Sequence, residues 1–118
     1  MPRTRASAKA AGTRFERAVA DYLAHTVDDR IDRRVKTGSA DKGDIAGVRY
    51  LGHRIVIECK DRARLDLAAW ITEAHTQAHN DDAALGVIVH KRHGRADPAD
   101  QWVTMTLADL AWMLREAG

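Results

Sequence analysis

The chain has 118 residues, 45% of them hydrophobic and 31% charged, with a formal net charge of +2 and one cysteine. That length suits one domain whose core buries about two thirds of the unfolded surface, and the composition excludes global disorder. The apolar runs fall far short of the 18 or so residues that span a bilayer, the basic N-terminus lacks an apolar signal core, and Cys59 alone forms neither an internal disulfide nor a cysteine-based zinc site. An intracellular (cytoplasmic) protein is therefore expected, with no membrane partner. A net charge this small does not announce a nucleic-acid partner, but its distribution is uneven. Residues 1–17 hold Arg3, Arg5, Lys9, Arg14 and Arg17 against Glu16, whereas residues 97–118 hold Asp97, Asp100, Asp109 and Glu116 against Arg115.

Residues 1–12, rich in Ala, Arg, Ser and Lys without apolar periodicity, read as a flexible basic arm preceding a single domain over 13–118. Thr13 and Glu16 then fit a capping box. Phe15, Ala18, Val19, Tyr22 and Leu23 follow at helical spacing, predicting a first helix to about His25. Three short β-branched segments, 30–37, 44–50 and 53–60, separated by glycine-containing turns, predict strands. Leu67, Trp70, Ile71, Ala74 and Ala78 form one face of a second helix, which "HNDD" ends. A fourth strand over 84–91, a fifth in "QWVTMT" and a closing helix through Leu107, Leu110, Ala111 and Leu114 complete the order α-β-β-β-α-β-β-α. This is an α/β fold with a mixed central sheet flanked by helices.

The stretch "GDIAGVRYLGHRIVIECKD" puts charge into segments that otherwise read as buried strand. Alternation places Glu58 and Lys60 on one face of their strand and Ile55, Ile57 and Cys59 on the other. Pairing the two strands around Leu51, Gly52 and His53 sets 50 opposite 54, 46 opposite 58 and 44 opposite 60. Asp44 then stands diagonally about 7–8 Å from Glu58 at the backbone, near enough for both carboxylates to reach one cation. Two hard oxygen ligands suit Mg²⁺ or Mn²⁺, and a neighbouring lysine suits phosphodiester hydrolysis. A turn cap at Asp44 and a solvated Glu58–Lys60 pair is the alternative. Glu16 has two readings, the capping box or a carboxylate aimed at the same cation. Gly38 and Ser39, in the loop before Asp44, form either a phosphate-approaching loop or simply a turn.

"FERAVADYL", "RRVKTGSADKGDIAGV" and "HRIVIECKDR" together resemble the PD-(D/E)XK nuclease superfamily, and within it the archaeal-type Holliday junction resolvases. The resemblance covers about residues 12–64 and implies a restriction-endonuclease-like core. It further implies Glu16, Asp44 and Glu58 as metal ligands, Lys60 as the catalytic lysine and Ser39 as an active-site or substrate contact. Gly43 stands where the motif has its usual proline. The implied activity is Mg²⁺-dependent cleavage of four-way DNA junctions by a homodimer, in DNA recombination and repair. Another nuclease of the superfamily, restriction-type or nicking, and a non-catalytic DNA-binding module of the same fold are the alternatives. Expected DNA contacts are Arg3, Arg5, Lys9 and Arg14 near the N-terminus, then Arg34, Lys36, Gly38, Ser39 and Lys42. Arg62, Lys91 and Arg92 complete the set.

Rival signals are weaker. Gly38 and Gly43 have the spacing of a P-loop, but Asp44 follows where a lysine is required. His75 and His79 lie four apart without the glutamate of an H-E-x-x-H zinc site. Gln77, on the same helix, is a further candidate for assisting the site. Trp70, Trp102 and Trp112 invite base stacking, with core or subunit packing favoured for Trp70 and Trp112 by their helical neighbours. The loop "HKRHGR" reads equally as a phosphate contact or an exposed turn.

Overall fold

The computed structural model describes residues 3–36 and 38–118; Met1, Pro2 and Thr37, which belong to the predicted arm and to the end of the first predicted strand, lie outside the described residues. The Thr4 hydroxyl accepts a hydrogen bond from the Ser7 amide at 3.0 Å and caps a 22-residue helix, α1 (Arg5–Thr26). The helix therefore starts eight residues before Thr13, and neither the flexible arm over 5–12 nor the Thr13 capping box is present. Burial along α1 begins at Ala11 and recurs at Phe15 and Val19, so Arg5–Ala10 give no apolar period. Their alanine-rich composition makes the helix by propensity alone.

Six short strands follow: β1 (Asp32–Arg33), β2 (Ile45–Ala46), β3 (Arg49–Tyr50), β4 (His53–Lys60), β5 (Leu85–His90) and β6 (Trp102–Thr104). Helix α2 (Leu67–Asn80) joins β4 to β5, and α3 (Leu107–Ala117) closes the described chain. The sheet runs β1-β2-β4-β5-β6 with β3 also on β4, and β4–β5 is parallel where the other pairs are antiparallel. A parallel pair needs a crossover, and α2 supplies it. The result is an α/β fold of three helices and a mixed sheet. Its strand count exceeds the predicted five because Gly47, at φ +86°, interrupts the second predicted strand. The first predicted strand shrinks to two residues.

Each face of the sheet has its own core. Ile55, Ile57 and Cys59 of β4 and Leu85, Val87 and Val89 of β5 meet Phe15, Val19 and Ala20 of α1, with Trp112 and Met113 of α3 packed alongside. On the other face Trp70 and Ala74 of α2 cover Ile88. Gly86 permits that approach, since a Cβ there would stand 2.3 Å from the Ala74 carbonyl oxygen.

The hairpin register differs from the expected one. Leu51 and Gly52 both have positive φ, 49° and 83°, and Tyr50 pairs with His53. This is the two-residue turn whose twist matches paired strands, rather than a three-residue loop. From the pair Arg49–Arg54 to the pair Ile45–Ile57 the chain uses four steps on one side and three on the other. One extra residue is thus bulged beside Gly47. Turn and bulge each shift the register by one, and the two shifts add. Asp44 consequently falls opposite Glu58 instead of Lys60, and an even total shift keeps both carboxylates on one face.

Candidate functional site

β4 ends in an alternation of apolar and charged side chains, and the charged ones are buried: Asp44, Glu58 and Lys60 are 4%, 5% and 7% exposed. Burying charge without partners is costly, so the neighbours of each group define the site. One carboxylate oxygen of Asp44 accepts the Cys59 backbone N–H at 2.8 Å, and the other lies 4.0 Å from Lys36 Nζ. The Asp44 backbone N–H donates to the Ile57 carbonyl at 2.9 Å, locking the residue to β4. Gly43, immediately before it, has φ +91°, and a Cβ there would stand 2.7 Å from Val56 Cγ1. A proline, fixed near φ −65°, is therefore incompatible with this backbone, which accounts for glycine at that position.

Glu58 stands beside Asp44, and its Oε2 accepts from Gln77 Nε2 of α2. Burial first, then the adjoining Asp44 carboxylate, pushes the Glu58 carboxyl up to about 9, against the opposing pull of Gln77 and Lys60. Glu58 is thus the carboxyl of the pair that holds a proton. Lys60 Nζ contacts both carboxylate oxygens of Glu73 on α2, at 3.1 and 2.9 Å. Glu16 faces the group from α1, and its Oε1 accepts from Arg33 at 3.2 Å. Burial, then the charge on Asp44, raises the Glu16 carboxyl above its ordinary range. Burial and the same carboxylates also push the Cys59 thiol up, so it stays protonated.

Glu16, Asp44, Glu58 and Lys60 all line one open cleft of about 690 Å³ between α1 and the end of β4. Lys9, Arg33, Arg34, Lys36 and Arg62 also line it, interspersed with Asp41, Asp61 and Glu73, giving an acidic floor within a predominantly basic rim. Among the described residues no three His, Cys, Asp or Glu side chains converge closely enough to enclose a metal ion by themselves. The Asp44–Glu58 pair offers hard oxygen donors, and a cation between them would take the place of the proton on Glu58. That donor set fits Mg²⁺ or Mn²⁺, which retain several waters.

Other sequence-predicted residues are dispersed. Ser39, with Gly38 and Lys42, lines an adjoining depression of about 190 Å³ that shares Arg34, Val35, Lys36 and Asp41 with the cleft. Arg3 pairs with Asp61 at 3.0 Å, Arg34 pairs with Asp81 at 3.3 Å, and Arg5 and Arg14 lie exposed along α1. Lys91 Nζ is turned onto the Arg92 and Arg95 carbonyls of its own loop. Arg92 lies over the Trp102 ring, 4.4 Å from its centroid. His75 bonds Asp109 of α3 at 2.9 Å, and neither it nor His79 belongs to a group of three or more potential metal ligands among the described residues.

Glu73 and Asp41 were not singled out by sequence. Asp41 joins the site through Gln77 Nε2, at 3.2 Å. The spacing Glu73 to Gln77, one helical turn apart on the α2 face that covers Glu58 and Lys60, was the available signal.

Comparison of the chain with protein-family models, curated proteins and solved structures finds no match. Among the described residues no helix is long and apolar enough to cross a membrane.

Proposed function

We propose that the protein is a divalent-metal-dependent DNA endonuclease with a PD-(D/E)XK core, acting on branched DNA such as four-way junctions. The observation that carries this reading is the meeting of Glu16, Asp44, Glu58 and Lys60 on the floor of one basic-rimmed cleft. Asp44 and Glu58, with Glu16 beside them, would hold the cation, which when bound supplies Lewis-acid polarisation of the phosphodiester. The remaining work falls to the chain. Lys60, held by Glu73, is placed to donate to an attacking water or to a phosphate oxygen as negative charge develops. The Cys59 backbone N–H and the Gln77 amide orient the two carboxylates from behind. Lys9, Lys36 and Arg62 attract the backbone phosphates. A four-way junction calls for paired incisions, which suits a two-fold homodimer.

The test is incubation of labelled four-way junction, duplex and single strand with and without Mg²⁺. Metal-dependent cutting of the junction is expected. Asp44→Asn and Glu58→Gln should each lower the cleavage rate by at least about a hundredfold while binding survives. Junction binding without cutting under any divalent metal would favour the non-catalytic module instead. The Lys60–Glu73 ion pair is the feature that favours that second reading, because it occupies the catalytic lysine.

A further inference from the structure

Of the three tryptophans, Trp70 is buried against His90 and Trp112 packs on Tyr50 and His53, but Trp102 is 48% exposed. Its position follows from the register. Lys60 pairs with His90 and His90 pairs with Trp102, so the three form one row across β4, β5 and β6. Directly paired residues share a face, and adjacent strands are about 4.8 Å apart. The Trp102 backbone is therefore about 10 Å from that of Lys60, on the same side of the sheet, which is some three base-pair rises of DNA.

The surroundings of Trp102 are held in place. Gln101 Oε1 accepts the Arg92 backbone N–H at 2.7 Å, while Gln101 Nε2 donates to the Arg95 and Asp97 carbonyls at 3.0 and 2.8 Å. These bonds fix the loop that carries Arg92 over the indole. The same loop bridges to the cleft, because His93 Nε2 lies 3.0 Å from the carbonyl oxygen of Arg62, a residue of the basic rim. An exposed indole stacked with a guanidinium, pre-ordered and joined to a phosphate-attracting rim, has the composition of a base-stacking platform.

We infer that Trp102 and Arg92 form a binding site for an unpaired or unstacked nucleobase, joined to the cleft through the His93–Arg62 contact rather than across the sheet face, where His90 lies buried under Trp70. The inference rests on the nucleic-acid reading of the cleft. It adds to that reading a physical source of preference for DNA with exposed bases over continuous duplex.

The experiment measures binding in the absence of Mg²⁺ by the full chain and its Trp102→Ala, Trp102→Phe and Arg92→Gln variants, with circular dichroism melts confirming that each folds. Probes are a single-stranded oligonucleotide, a blunt duplex and inorganic polyphosphate. Trp102→Ala should weaken single-strand binding about tenfold and leave duplex and polyphosphate binding within about twofold. Trp102→Phe should keep most of the affinity but lose the fluorescence quenching that accompanies single-strand binding to the parent. Unchanged single-strand affinity in Trp102→Ala would overturn the inference. So would an equal loss for polyphosphate, which would mark a phosphate site, or a change in sedimentation, which would mark a contact between copies. If the parent binds single strands through Trp102 yet never cleaves with Mg²⁺, the platform stands and the nuclease reading falls.

Discussion

Glu58 is the residue at which burial and chemistry conflict most directly. Burial first, then the adjoining Asp44 carboxylate, raises its carboxyl to about 9 and so favours the neutral form at ordinary pH. A carboxyl with a higher pKa folded than unfolded binds more protons in the folded state, so the metal-free protein should lose stability as pH rises from the usual glutamate range to about 9. Glu58→Gln removes that titration. Its amide can donate to Asp44 and its carbonyl can accept from Gln77, reproducing the protonated acid. Without metal, its melting temperature should clearly exceed the parent's near pH 8.5 and converge with it near about pH 5. Added Mg²⁺ should stabilise the parent and not the variant. A parent whose melting temperature is flat across that range would show Glu58 ionised. Lys60→Ala should cost little stability, because the Glu73 it releases is half exposed. Turnover should nevertheless fall by about two to three orders of magnitude. The residue types of this site were legible in the sequence, since alternation alone sets Glu58 and Lys60 apart from Ile57 and Cys59. Their partners Glu73 and Asp41 were not: the Glu73–Gln77 spacing marks a shared helix face, but nothing local in the sequence records which turn of a crossover helix lies over which strand residue.

At the scale of elements, apolar periodicity identified α2, β4, β5 and α3, all of which bury or cover a face. It failed where an element forms without burial, as in Arg5–Ala10, and where glycine interrupts a strand, as at Gly47. The bulge and the Leu51–Gly52 turn also show why the predicted hairpin kept its faces despite a wrong register: two single-residue shifts restore parity. Glycine substitutions separate local propensity from packing. Gly12 lies within α1 with nothing within 4 Å of a built Cβ, so Gly12→Ala should stabilise by about 0.5–1 kcal/mol. Gly86 faces the backbone of α2 at Ala74, so Gly86→Ala should destabilise by about 2 kcal/mol or more. Because α2 carries Glu73 and Gln77, cleavage by the folded fraction should fall as well. Urea denaturation of both variants checks the opposite signs. A neutral Gly86→Ala would mean that α2 is free to shift away from β5.

For the whole molecule, a net charge of +2 conceals a separation of sign that matters more than the sum. An acidic floor at Asp44 and Glu58 sits inside a rim of Lys9, Arg33, Arg34, Lys36 and Arg62. A polyanion on the rim is repelled by the floor, and a divalent cation on the floor is repelled by the rim. Each ligand removes the repulsion felt by the other, so their binding should be positively coupled. Linkage requires the two effects to be equal. In Lys60→Ala, which should bind without efficient cutting, Mg²⁺ should tighten junction binding by about five- to a hundredfold, and junction DNA should tighten Mg²⁺ binding by the same factor. Mg²⁺ also competes with any protein for phosphates and on that ground weakens binding. The comparison is therefore with Asp44→Asn in the same Lys60→Ala background, where only this weakening should remain. Isothermal titration of metal with and without DNA, and of DNA with and without metal, closes the cycle. Equal weakening by Mg²⁺ in both proteins would mean that floor and rim do not act as one site.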